Sequence, residues 1–254
     1  MEVFKLGELI LELLEMVLGL WNSYIDLAME LLGQPVTSFK GGGAWSAIES
    51  LQPLFVGVGS SLIVLFFVMG FCSESIDVRQ EMRFEVILRI LIRLSVSEWL
   101  VVNSLTILKS FMASIGNLVT AIGGNQTTHV SLEGEAADII RNLGFASSLV
   151  FLILAVVIAL VIVVCAFFLL YTIYFRFLRL YVVLPFAPIA FSSFAGNHGI
   201  SHTAIRYFKY FLSVTLEAVT IVLAVVVCNA FISAGLPDFA SGYSGWVKTL
   251  FILF

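Results

Sequence analysis

FASSLVFLILAVVIALVIVVCAFFLLYTIYF, residues 145 to 175, decides the fold: no Asp, Glu, Lys or Arg interrupts it. As a helix rising 1.5 Å per residue it reaches about 46 Å, well beyond the roughly 30 Å hydrocarbon core of a bilayer. It must tilt or project past that core. Arg176 and Arg179 follow it directly and mark its end as the cytoplasmic one by the positive-inside bias.

The rest of the chain agrees with lipid as the solvent. Of 254 residues 60% are hydrophobic and 12% charged, against about 25% charged in a soluble domain, and the mean hydropathy is +1.07. A soluble enzyme is excluded on that balance, and one membrane domain is the economical reading. The net charge of -4 is an N-terminal property: residues 1 to 53 hold seven acids against two lysines. Such a segment is repelled by phosphate backbones, so no sequence-specific nucleic-acid binding is expected. Cys72, Cys165 and Cys228 lie in or at the end of apolar runs, without spacing for a metal or a disulfide framework, and read as small core hydrophobes. The start lacks the features of a cleaved signal peptide, so the mature chain is expected to begin at or near Met1.

Outward from the central run, residues 3 to 32 place Leu6, Leu9, Ile10, Leu13, Leu14 and Val17 at helical spacing, with Glu8, Glu12 and Glu15 on another face. This is an amphipathic helix whose apolar stripe packs on a neighbour. Pro35 and Gly41-Gly42-Gly43 form a hinge, and Pro53 opens a charge-free span over 54–72. Glu74 to Arg93 alternates acids with four arginines and marks the inner side, which puts the N-terminal region outside. A second span, 84–108, has a polar side made of Glu85, Arg89, Arg93, Ser97, Asn103 and Ser104. Residues 105 to 144 read as a non-spanning outer region. In 180–195 (LYVVLPFAPIAFSSFA), Pro185 and Pro188 remove two backbone donors, so the segment is broken or re-entrant and must not face lipid. A last span covers 210–234, and the stub from Trp246 to Phe254 is too short to cross. The expected fold is therefore all-α: a polytopic transmembrane protein of about five membrane segments, one of them Pro-broken. Residues 1–53 form an amphipathic helix and hinge, and 54–254 form the transmembrane domain.

No catalytic constellation emerges. Gly242-Tyr243-Ser244-Gly245 has the spacing found around intramembrane serine nucleophiles, but no histidine follows it to act as base. His198 and His202 stand at i and i+4 without a third ligand, so they read as interfacial loop residues rather than a metal site. Asn125-Gln126-Thr127 fits a glycosylation acceptor too common to weigh. No metal, cofactor or enzymatic activity is expected. Glu217 is more informative, because a carboxylate inside a span must face protein or water. It shares a helical strip with Arg206, Lys209, Ser213 and Thr220. Two readings stand: a structural ion pair, with Arg89 or Arg93 as partner, or a hydrated path.

The order of elements resembles the TrbL-type polytopic subunits of type IV secretion and conjugation machines. The residues that carry the resemblance are the glycine-containing first span, the charged turn after it, and the second span closing on Trp99, Asn103 and Ser104. To these add the long third span ending in Arg176 and Arg179, the LPFAPIAF break, and Arg206-Tyr207-Phe208-Lys209-Tyr210-Phe211 leading into the last span. The likeness covers residues 54 to 235 and is one of topology and texture. The chain departs from it in being short, without a large soluble C-terminal extension. Membership implies a homo-oligomeric scaffold or channel subunit of the bacterial cytoplasmic membrane. It would sit beside cytoplasmic ATPases and other machine subunits and help DNA or protein across. The competing reading is a stand-alone small-solute transporter or ion channel built on the Pro-broken segment and Glu217. The lack of an internal repeat disfavours it.

Overall fold

The computed structural model describes residues 2–77, 84–123, 135–141, 145–196 and 198–233. Among them every regular element is helical: α1 (Glu2–Gly33), a 3₁₀ turn (Phe39–Gly42), α2 (Gly43–Asp77), α3 (Phe84–Val102), α4 (Ser104–Gly123), α5 (Glu135–Arg141) and α6 (Phe145–Val183). A broken segment with α7 (Ala187–Ser192) at its centre then leads to α8 (His198–Ser233). Four stretches are long and apolar enough to cross a bilayer: Phe39–Cys72, Ser104–Gly123, Ser147–Ala195 and Ser201–Cys228. The chain is an all-α polytopic membrane protein. Gly242 to Gly245, Asn125 to Thr127 and the stub from Trp246 lie outside the described residues.

The spans fall differently from the sequence expectation in several places: four stretches stand among the described residues where about five segments were expected, 145–175 and the broken 180–195 fall in one stretch, and the last begins at Ser201 rather than 210. The stretch 84–108 is cut at Asn103, and α4, which carries only Lys109 as a charge, is the membrane-length helix; α3 holds Glu85, Arg89, Arg93 and Glu98. Four ionisable groups in nineteen residues outweigh the apolar ones between them. Residues 104–123 form a helix of membrane-spanning length, where a non-spanning outer region was expected. Pro53, in turn, does not open a span but lies within α2, which begins ten residues earlier.

The chain divides into two compact units, with Met1–Leu32, Thr120–Ile173 and Ile221–Phe254 in the first and Gly33–Val119 and Tyr174–Thr220 in the second. In the first unit, α1 buries Ile10, Leu11, Leu14 and Leu18 against Ile140, Phe151 and Ala155. Glu8, Glu12 and Glu15 stay exposed, as the 3.6-residue period requires, although the buried stripe takes Leu11 and leaves Leu9 outside. α5 can approach because residue 7 is glycine: a Cβ there would meet the Ile140 carbonyl oxygen at 3.1 Å.

In the second unit the hinge is a left-handed turn, with Gly41 at φ 80° and Gly42 at φ 76°. It seats Phe39 flat on Phe177, ring centroids 3.8 Å apart, while the Tyr181 hydroxyl donates to the Val36 carbonyl at 2.6 Å. Residues 36–39 and 177–181 therefore share one level of the unit. The topology that sets residues 1–53 outside and Arg176 to Arg179 inside would part these segments by a bilayer, so the two assignments do not hold together. In a background without native cysteines, Phe39→Cys with Phe177→Cys is expected to cross-link under mild oxidation. Absence of the cross-link while either cysteine is reactive alone would refute the shared level.

Cys72, Cys165 and Cys228 are exposed rather than buried. A chain solvated by lipid has no need to draw small apolar side chains inward, and the outward rows Val150, Ile153, Val157, Leu160 and Val164 of α6 show the same freedom.

Candidate functional site

The second unit is organised around the segment the prolines break. Pro188 has no N–H to give the Leu184 carbonyl, and the chain tightens so that the Ala187 N–H reaches Leu184 instead. The Val183 carbonyl accepts from the Tyr207 hydroxyl at 3.0 Å, so α8 supplies a polar group at the break. Two serines finish the turn. Ser192 and Ser193 are buried, each bonding a carbonyl three residues back, and Ser193 Oγ also accepts the Ala204 N–H at 3.0 Å. Pro185, Ala187, Pro188, Ala190 and Phe191 are buried too, with Phe186 alone turned out, edge-on to Phe55.

α7 packs on both α2 and α3, and one glycine permits the approach. A Cβ at Gly59 would stand 2.9 Å from the Pro188 carbonyl oxygen and 3.0 Å from Val101 Cγ1. Arg93 fastens the far end by donating to the Gly196 carbonyl at 3.3 Å. The buried Ser104 hydroxyl accepts from the Gln52 amide at 3.3 Å and joins α4 to α2. Beside this assembly a groove of 670 Å³ runs between α2 and α3, lined by Ile63, Val64, Leu94, Trp99 and Val102, with Glu98 as its one acid. Ser60 Oγ donates to that carboxylate at 3.2 Å.

Glu217 meets an arginine, but not one of the second span. Its Oε1 accepts from Arg179 Nη2 at 3.0 Å. Arg176, one helical turn earlier, is only 4% exposed, its guanidinium 5.0 Å from the Phe177 ring. Nε and Nη1 of Arg176 and Nε of Arg179 are buried without a hydrogen-bond partner among the described residues. One carboxylate is thus paired with the second of two arginines spaced i, i+3 on α6. An ordinary surface pair, Lys109 with Glu49 at 4.0 Å, serves as contrast, both side chains being half exposed.

The other candidate residues do not converge. Arg89 is exposed on α3, Ser97 is buried and bonded to the Arg93 carbonyl, and Asn103 Nδ2 donates to Trp99 O at the break between α3 and α4. Glu85 lies in α3 with its side chain outside the described residues. Arg206, Lys209 and Ser213 are exposed on α8, and of that strip Glu217 alone turns to α6. His202 is exposed, and among the described residues no group of His, Cys, Asp or Glu could hold a metal ion. Sequence reasoning treated Arg176 and Arg179 as topology markers and missed them as partners. The available signal was their i, i+3 spacing, which sets both on one side of α6. No protein-family model, curated protein or solved structure matches this chain.

Proposed function

We propose that the chain is a membrane-embedded scaffold or channel subunit of a type IV secretion or conjugative transfer machine in the bacterial cytoplasmic membrane. It acts as a homo-oligomer with cytoplasmic ATPases and other machine subunits, and helps DNA or protein substrate cross. The likeness of residues 54 to 235 to TrbL-type subunits brings this reading forward. One observation carries it further: the LPFAPIAF break is a buried bracket that ties α6 and α8 to α2 and α3, closed by Gly59 and by the Tyr207 and Ser193 hydroxyls. A bracket of that kind suits a part that holds others in place.

The same geometry weighs against a stand-alone transporter. A solute or ion site needs uncommitted polar groups at the break. At the break itself Ser192, Ser193 and Tyr207 are spent on the backbone. The outward apolar rows of α6 are free for lipid or for further copies of the chain.

The test is purification of the full chain from native membranes in mild detergent, with sizing and identification of what comes with it. A multimer carrying a secretion ATPase or relaxase is expected, together with loss of substrate transfer on deletion. A monomer that arrives alone, in cells whose transfer is unaffected by its deletion, would reject the proposal.

A further inference from the structure

We propose that the Arg176, Arg179 and Glu217 cluster is a binding site for a phosphate-class oxyanion, supplied by a phospholipid headgroup or as free phosphate. The inference does not depend on the secretion reading. It begins from charge: Glu217 pairs with Arg179, while Arg176, three positions earlier on α6, has no ion-pair partner among the described residues, which leaves one positive charge in surplus. Glu217 satisfies a single N–H, from Arg179 Nη2. Three further nitrogens, Nε and Nη1 of Arg176 and Nε of Arg179, are buried and have no acceptor among the described residues.

Buried guanidinium groups are retained where acceptors satisfy them. The Phe177 ring below Arg176 offers its face to the cation, but a ring face does not replace an oxygen at the N–H edge. The cluster is also open on one side. While Arg176 is nearly enclosed, the Arg179 and Glu217 side chains are 32% and 26% exposed, so the paired end of the cluster is within reach of an anion. Several oxygens on one atom match several donors on neighbouring guanidiniums, and arginine is the side chain best suited to phosphate. In a bilayer the abundant oxyanion of that form is the phosphodiester of the lipids themselves.

Glu217 has a double part in this arrangement. It offsets one cation and competes with the incoming anion for the other. Neutralising it should therefore strengthen anion binding even as it weakens the unliganded protein, an outcome opposite to that for a carboxylate that belongs to a ligand site for cations.

The experiment uses the full chain, delipidated in a non-ionic detergent, and follows its thermal unfolding with added sodium phosphate against sodium chloride at matched ionic strength. A parallel arm uses native mass spectrometry from nanodiscs containing phosphatidylglycerol or, instead, the phosphate-free glucosyl diacylglycerol. Phosphate is expected to raise the unfolding temperature of the wild type, to raise that of Glu217→Gln by more and at several-fold lower concentration, and to leave Arg176→Gln unmoved. Arg176→Gln removes the surplus charge while keeping the Arg179 to Glu217 pair, so it should fold. Retention of phosphatidylglycerol but not of the glucosyl lipid, lost in Arg176→Gln, identifies the headgroup as the source. A response to free phosphate without lipid retention identifies the small anion. Neither response in the wild type, or equal responses in the wild type and Arg176→Gln, would overturn the proposal.

Discussion

Leucine at position 59 is expected to remove most of the folded protein from the membrane, while leucine at position 57 is expected to leave its level near normal. The two glycines are one half-turn apart in α2, and their surroundings differ. A Cβ at Gly57 meets nothing within 4 Å, whereas at Gly59 it meets the Pro188 carbonyl group at 2.9 to 3.0 Å and Val101 at 3.0 Å. The obstacle is backbone in a segment already fixed by two prolines and buried serines, so it cannot turn aside as the end of a side chain would. Overfilling a packed site by a methylene group or so costs about 1 to 3 kcal/mol, and about 1.4 kcal/mol is tenfold in the folding equilibrium. Even Gly59→Ala is expected to lower the unfolding temperature, and Gly59→Leu to lower the yield of monodisperse protein about tenfold or more. Gly57→Ala should have the opposite sign, since alanine is favoured over glycine inside a helix by up to about 1 kcal/mol. Fluorescence-detected sizing of detergent extracts across a temperature series measures all four variants. Equal behaviour at the two positions would show that α7 does not rest on α2 through Gly59.

What the sequence discloses about this arrangement depends on the range of the interaction. The acidic face of α1 is legible because charges at 8, 12 and 15 repeat with the helix itself. Which of Leu9 and Leu11 turns inward depends on α5 and α6, and is not. Pro185 and Pro188 announce a break locally. The groups that answer it, the Tyr207 hydroxyl and the Ser193 Oγ, come into place only when α8 folds back. Pro53 was legible as a proline but misleading as a boundary, since a helix can run through one missing donor. Gly59 looks like any other small residue of an apolar span, because the contact that demands it lies some 130 positions away. The division at Asn103 was within reach, however: counting charges separates 84–102, with four, from 104–123, with one.

The pairing of Glu217 is the case in which the sequence posed the right question and offered too many answers. Arg89, Arg93, Arg176 and Arg179 were all open as partners in the sequence, and only the antiparallel register of α6 with α8 selects Arg179. Removing one partner of a fully buried pair costs about 3 to 5 kcal/mol, because the other charge is stranded. The Arg179 and Glu217 side chains keep 32% and 26% of their exposure, so the pair falls short of full burial and about 2 kcal/mol is the expected loss for Glu217→Gln. Glu49→Gln, in the half-exposed pair with Lys109, should cost under about 1 kcal/mol. The sharper comparison adds Arg176→Gln to Glu217→Gln. If the penalty arises chiefly from the enclosed Arg176, which is only 4% exposed, the double variant should recover most of the lost stability, leaving Arg179 as a single, partly exposed cation. If it arises from the broken Arg179 contact, no recovery follows. Arg93→Gln should simply add to Glu217→Gln, within about 0.5 kcal/mol, because Arg93 is bonded to the Gly196 carbonyl and has no share in the pair. Unfolding of the purified chain in phosphate-free buffer reads all of these differences. A large coupling between Arg93 and Glu217 would return the ion pair to the second span and displace the register of α6 and α8 on which the cluster depends.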